Sequence, residues 1–423
     1  IRLFAPGELA ARDATALLFP EDPPSSPSQE TSVAPRAPRA LAAETPPEYR
    51  TAPAHQASAP QGLLDTLDSA QRAAAERVDG PLLIIAGPGA GKTRTVTHRI
   101  AHLVTDCRVP PEACLAITFT RRAAGEMRER LERLLPQTAQ AVAVHTFHGL
   151  GLEMLREHSG AAGLAPDFVV AAEEERRTLL AQELDVSPRQ AARLLDRIAA
   201  CKRADKPPAS ETELANAMAR YEAALRARHW VDFEDLLRLP VAVVEADARL
   251  LAAYRERFVW ITVDEYQDID ALQYRLVRLL APPDGNLCVI GDPDQAIYSF
   301  RGADVGFFHR FREDYPGTRA VHLERSYRCT RNILDASVQV LARSDTVEAR
   351  LEALLDSPER VVLHEAATER AEAEFVVQTI ERVLGGHTLF SLDSGRSDGA
   401  ADAALGFGRS EERRVGKECV SEC

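Results

Sequence analysis

No stretch of about 18 apolar residues occurs in the chain, which leaves no candidate for a helix across a bilayer. The first residues lack the basic-then-apolar layout of a secretory leader. Cysteine is sparse and scattered, at positions 107, 114, 201, 288, 329, 419 and 423, with no Cys-x-x-Cys pair. That distribution argues against a disulfide framework or a zinc site and fits a reducing cytoplasm. Positive charge is not in excess either: Lys plus Arg number 51 against 64 Asp plus Glu, a net charge of −13. A polybasic binder whose affinity rests on bulk charge is therefore excluded, while an enzyme with a local basic channel is not. There is no internal repeat. What is present is a chain of 423 residues, 45% hydrophobic, which is enough for a sizeable core and for about three domains at roughly 150 residues each.

Composition divides the chain. It begins with Ile1 rather than Met, and the expectation is that the true start lies upstream. Residues 1–19 carry short apolar pieces, IRLF and ATALLF, read as the remnant of an upstream region. Residues 20–61 are rich in Pro, Ser, Ala, Glu and Gln. Such a segment cannot bury enough surface to offset its ordering entropy, so an extended linker is expected. At the other end, RSEERRVGKEC over Arg409–Cys419 resembles the conceptual translation of a sequencing-library adapter. Residues 409–423 are accordingly expected to be a non-native tail on a truncated chain; the alternative is a charged, solvated C-terminus.

Between these ends, short apolar runs alternate with helical periodicity. LLIIA after Pro81 precedes a glycine-rich turn and a helix over Lys92–Val104; Leu115–Phe119 precedes a charged amphipathic helix over Arg121–Leu135. Further runs are Ala141–Val144, Phe258–Val263, Leu287–Ile290, Ala320–Leu323 and Val361–Leu363. Buried strands alternating with helices imply an α/β fold, a parallel sheet with helices on both faces. Residues 150–228 differ: they read as helix after helix without a convincing strand, an all-helical insertion.

The sharpest motif is AGPGAGKT, Ala86–Thr93, which follows an expected strand and opens an expected helix. That context makes it a P-loop. Glycines at 87, 89 and 91 let the backbone turn tightly and aim N–H groups inward, and the helix N-terminus favours phosphate oxygens. Lys92 would reach the β- and γ-phosphates of ATP, and Thr93 would hold Mg²⁺. About 170 residues later an apolar strand ends in Asp264-Glu265. Asp264 would hold Mg²⁺, and Glu265 would deprotonate the attacking water. An acidic pair after a strand is by itself a common loop end; the preceding P-loop is what favours catalysis. Two such parts imply nucleoside triphosphate hydrolysis, but not what it drives.

Several blocks, in order, make the chain resemble the UvrD/Rep/PcrA group of superfamily 1 DNA helicases. LDSAQ (67–71) resembles the Q motif, AGPGAGKT motif I and AITFTRRAAGEM (116–127) motif Ia, although that family more often has Asn-Lys where this chain has Arg121-Arg122. VHTFHGL (144–150), VDFEDLL (231–237) and VDEYQD (263–268) follow, then GDPDQAIYSFRGAD (291–304) and LERSYRCTRNIL (323–334), similar to motifs III and IV. The resemblance spans about residues 62–385.

The resemblance implies roles. Gln71 would read the adenine edge, Ala86, Gly87, Pro88, Gly89, Ala90, Gly91, Lys92, Thr93 and Arg94 would cradle the nucleotide, and Tyr327 would stack on adenine. Gln295 would sense the γ-phosphate, and Arg328 would serve as an arginine finger, with an ordinary surface ion pair as its alternative. Phe119, Thr146, His148, Tyr298, Phe300 and Arg301 would contact DNA, Phe300 by stacking on a base. Any of these rings taken alone would be a core residue before it was a ligand contact. By the same likeness, a RecA-like domain comprises 62–149 and 229–305, the helical subdomain is 150–228, and an incomplete second RecA-like domain covers 306–408, without motifs V and VI. The implied activity is that of an ATP-dependent helicase moving 3′ to 5′ on single-stranded DNA, acting on 3′-tailed duplex in repair or replication restart. The alternatives are the helicase part of a RecB/AddA-type nuclease, or a fragment that binds nucleotide or DNA without turnover.

Overall fold

The computed structural model describes residues 2–3, 62–206, 208, 212–341 and 351–383. The expected linker, the non-native tail and nearly all of the upstream remnant lie outside the described residues. The centre is a six-stranded, wholly parallel sheet. Its strands in chain order are β1 (Leu82–Ala86), β2 (Cys114–Thr118), β3 (Ala143–Thr146), β6 (Trp260–Val263), β7 (Asn286–Gly291) and β8 (Arg319–Leu323). They lie in the order β3-β2-β6-β7-β1-β8. β4 (Val169–Val170) and β5 (Trp230–Val231) form a separate small pair.

Each inner strand is a continuous apolar run because both faces are covered. Leu83, Ile85, Leu115, Ile117, Ile261 and Val263 enter one core, while Leu82, Ile84, Ala86, Ala116, Cys288 and Ile290 enter the other. α2 (Lys92–Thr105) and α3 (Arg121–Leu134) cover the second face. α4 (Phe147–Glu157), α8 (Asp235–Ala246), α9 (Ala248–Arg257) and α10 (Ala271–Leu280) cover the first. Local chemistry sets their starts. α1 (Ser69–Glu76) carries a capping box from Asp68 and Gln71, Thr120 caps α3, and Asp270 with Gln273 boxes α10. The insertion packs α5 (Glu173–Leu184), α6 (Pro188–Arg203) and α7 (Glu213–Ala227) around Leu180, Ile198 and Tyr221.

Two expected boundaries are corrected. Residues 150–157 are not part of the insertion, since Leu150 and Met154 of α4 sit in the sheet's core. The insertion is also not purely helical, because the β4–β5 pair closes its base. Second, the first domain does not end near 305. β8 pairs along all of β1, from Leu82↔Arg319 to Ala86↔Leu323, and Phe307, Phe308, Phe311 and Tyr315 before it fill the same core. After Leu323 the chain continues, within the same compact unit, into β9 (Arg325–Thr330), α11 (Arg331–Leu341) and β10 (Glu352–Leu355); β9 and β10 pair in parallel. Residues 2–3 and 358–383 belong to a separate compact unit, in which Arg2–Leu3 pairs antiparallel with β11 (Val362–Leu363), and α12 spans Glu369–Val383. Among the described residues no helix is long and apolar enough to cross a membrane.

Candidate functional site

The carboxyl ends of β1, β6 and β7 converge on one polar site, where open parallel sheets bind ligands. The loop after β1 turns through Gly89 (φ 75°) and Gly91 (φ 82°), both in the left-handed region that only glycine enters freely. Space as well as conformation demands glycine there. A Cβ on Gly89 would lie 2.7 Å from the Ser326 hydroxyl and from Cβ of Arg328, and one on Gly91 would lie 2.6 Å from the Gln71 amide nitrogen. Ala86, Gly87 and Ala90 are buried. Lys92, the first residue of α2, donates from Nζ to Glu265 Oε2 at 3.0 Å.

β6 is followed at once by Asp264, which is buried. Burial, then the neighbouring Glu265, pushes its carboxyl up to about 7. Glu265 takes φ 50°, a left-handed conformation that costs a non-glycine residue about 1–3 kcal/mol. Its oxygen is also met by Gln267, whose Nε2 donates to Glu265 Oε2 and to Asp268 Oδ2, each at 3.0 Å. Gln267 Oε1 accepts from the Asp292 N–H at 3.1 Å, and Asp292 Oδ2 accepts from Gln295 Nε2 at 2.5 Å. One unbroken chain of hydrogen bonds therefore links Lys92, Glu265, Gln267, Asp292 and Gln295. A glycine is required at 291 for this contact, since a Cβ there would lie 2.3 Å from Gln267 Oε1.

The segment after β8 lies on the loop. The Tyr327 N–H donates to the Gly89 carbonyl at 3.0 Å, and the Ser326 hydroxyl donates to the Pro88 carbonyl at 2.9 Å. Arg328 is thereby brought beside Gly89. The Tyr327 hydroxyl donates to Asp68 at 2.6 Å, which places its ring next to the α1 cap. Gln71 donates to the Ala90 carbonyl at 3.0 Å, and Arg94 donates to the Thr66 carbonyl at 2.7 Å. The cradle suits a polyphosphate: left-handed glycines, a lysine and an exposed arginine surround it. Thr93 near the start of α2 and Asp264 after β6 are donors that suit a divalent cation, whose charge would relieve the buried acid.

A second depression, of about 480 Å³, is lined by Phe119, His148, Phe233, Tyr298 and Arg301, with Arg203, Glu234, Asp268 and Asp270 at its polar parts. Phe119 stacks on Tyr298 with ring centroids 5.2 Å apart, and His148 stacks on Phe233 at 3.8 Å. Arg301 lies over both Tyr298 and Phe300. Phe300 is 76% exposed, an unusual position for a large apolar ring. Burial, then Arg203, lowers His148 to about 4, so its ring is neutral at physiological pH. The Thr146 hydroxyl accepts from the Gly149 N–H and caps α4.

Most of the expected site residues thus fall into two groups, Lys92, Glu265 and Gln295 on the phosphate side and Phe119, His148, Tyr298 and Arg301 in the cleft. Phe233, Arg203, Gln267 and Asp268 were not singled out in the sequence. Phe233 lies inside a recognised block, VDFEDLL, and its place between two acids is the signal that could have found it. Gln267 and Asp268 close the VDEYQD block. Arg203 carries no signal, because it reaches the cleft from the insertion.

A parallel sheet with a P-loop after β1, an acidic pair after β6 and a bridging amide after β7 defines the RecA-like class of P-loop proteins. A family model described as the UvrD/REP helicase N-terminal domain matches residues 67–316, and the chain belongs to that family. Among curated proteins it is 38% identical over 337 residues to the ATP-dependent DNA helicase PcrA of Leuconostoc citreum, covering 76% of this chain and 45% of that protein. It is 35% identical over 333 residues to the PcrA proteins of Staphylococcus epidermidis and Staphylococcus aureus, covering 75% of this chain and 46% of each. The chain spans about half the length of the curated relatives it matches.

Proposed function

We propose that this chain carries the nucleotide-hydrolysing half of an ATP-dependent DNA helicase that tracks 3′ to 5′ on single-stranded DNA and opens 3′-tailed duplex, in cytoplasmic repair or replication restart. Polarity and pathway follow the likeness to the family. The observation that carries the mechanism is the link between the two sites: Gln267 bonds both Glu265 at the phosphate loop and Asp268 in the aromatic cleft. In this reading the loop amides and Lys92 hold the triphosphate, and Tyr327 leaves Asp68 to stack on the adenine beside Gln71. Mg²⁺ between Thr93 and Asp264 would neutralise phosphate charge. Lys92 exchanges Glu265 for phosphate oxygens, which frees the Glu265 carboxylate to take a proton from the attacking water. Arg328 meets charge that develops on the γ-phosphoryl group. Gln295, released from Asp292 by the γ-phosphate, moves the segment that bears Tyr298 to Arg301, and the bases stacked in the cleft move with it.

The test is ATP hydrolysis by the protein with and without oligothymidylate. The expected result is DNA-stimulated turnover that Lys92→Ala removes while the fold persists. Turnover near that of the unaltered protein in Lys92→Ala would sink the phosphate-site assignment.

A further inference from the structure

The turn that carries Phe233 is built from acids that solvent does not reach. Asp232, Glu234 and Asp235 are buried, whereas Phe233 between them is 43% exposed. Cations of the helical insertion meet these carboxylates. Lys202 of α6, its side chain wholly buried, donates to Asp232 Oδ2 at 2.6 Å and to Asp235 Oδ1 at 2.9 Å. Arg203, the next residue, donates to Glu234 Oε1 at 2.8 Å, and Arg176 of α5 lies 3.5 Å from the other oxygen of Glu234. The turn braces itself as well: the Asp235 N–H donates to Asp232 Oδ1 at 2.9 Å. Burial pulls the Lys202 ammonium pKa down, but Asp235 and Asp232 more than reverse this, so it stays charged.

An ammonium held between two carboxylates away from water has a narrow choice of geometry, because any departure gives up charge-assisted hydrogen bonds that water cannot replace there. Stability alone does not call for such a cluster, since apolar side chains of similar volume often do as well. What the cluster does fix is direction. With Asp232 and Asp235 turned inward to Lys202, Phe233 is turned outward onto His148 at the wall of the cleft.

We propose that Lys202 is a positioning residue for the Phe233–His148 pair, so that the helical insertion sets how well a nucleic-acid base stacks in the cleft. The proposal rests on the reading of the cleft as the single-strand site. It assigns the insertion a specific task within the motor domain: it holds the stacking platform from behind, through one buried ammonium.

The experiment uses the full chain and an oligothymidylate bearing one 2-aminopurine, whose fluorescence is quenched when it stacks. Phe233→Ala is expected to lose the quenching and about tenfold in affinity, within the range of one stacked aromatic contact. Lys202→Met with Asp232→Asn removes one cation and one anion together and leaves Asp235 paired with Arg238, 3.1 Å away. It is expected to reproduce the loss of Phe233→Ala with a cooperative thermal transition retained. All three changes together are expected to be no worse than Phe233→Ala alone. Asp232→Asn by itself is the milder second variant, with partial loss of quenching expected. Unchanged quenching in both charge variants overturns the proposal while the cleft reading stands. Losses that add to that of Phe233→Ala also overturn it, because they mark a structural role independent of the ring. If Phe233→Ala itself binds the oligonucleotide as the unaltered protein does, the cleft reading fails and the proposal falls with it.

Discussion

Glu265 sits where three demands meet: it lies just beyond a buried strand, takes a left-handed backbone conformation and pairs with Lys92. The strain is tolerated because Lys92 and Gln267 hold the carboxylate from two sides. Glu265→Gln keeps the shape and removes the basic oxygen. Nucleotide affinity is expected to persist, while hydrolysis falls about 10²–10⁴-fold, the usual worth of a positioned base; phosphate release and a nucleotide titration check the two halves separately. Asp264 gives a pH-dependent expectation. Its carboxyl is raised to about 7 by burial and by Glu265, so the fold favours the protonated form. Its contribution to stability is present below the ordinary carboxylate range and is lost as pH rises towards 7. A divalent cation bound there reverses the preference. Binding of Mg·ADP near pH 6.5 is therefore expected to release a proton, and the release should vanish above pH 8 and in Asp264→Asn. Calorimetry in buffers of different ionisation enthalpy measures it, and equal heats in all buffers would refute the assignment.

Helices α4 and α8 show how an element is placed by a single residue. They cross at Gly151, where a Cβ would lie 1.8 Å from the Leu236 carbonyl oxygen. Because that neighbour is backbone, neither helix can give way by a side-chain rotation. Gly151→Ala is expected to destabilise the domain by about 1–3 kcal/mol or more, through forced separation of the helices, as read by urea denaturation. An unchanged midpoint would mean that the helices are not in contact there. The same crossing explains why the insertion begins later than its sequence pattern implies. The amphipathic pattern of residues 147–157 has no feature that separates a core helix from the first helix of an insertion; only burial against the sheet does.

At the scale of the whole molecule, the phosphate loop and the aromatic cleft are joined by side-chain hydrogen bonds through Gln267. Phe300 is 76% exposed, so truncating it removes little packing, and under the proposed function its ring stacks on a base. Phe300→Ala is expected to leave the unfolding midpoint within about 0.5 kcal/mol of the original and to weaken single-stranded DNA binding about five- to a hundredfold. A melting curve and an anisotropy titration on the same sample distinguish this from loss of core packing. If binding is retained while stability falls, Phe300 is a core residue.

The order of blocks from LDSAQ to LERSYRC, the alternation of buried strands with helices, and the P-loop with its acidic pair could all be read along the chain. Each depends on residues close in sequence: glycine freedom at a turn, a hydroxyl or carboxylate capping a helix, or an apolar run of strand length. The placement of Arg319–Leu323 could not be read this way. A short apolar strand pairs with whichever edge is free, and here the edge of Leu82–Ala86 takes it into the first sheet. Gln267 and Lys202 were hidden for a related reason. Their importance comes from partners at Asp292, Asp232 and Asp235, brought within hydrogen-bond reach by the packing of separate helices and strands. Local chemistry determines where elements start and stop, but long-range packing decides which side chains meet, because burial makes a polar group depend on whatever partner the fold delivers.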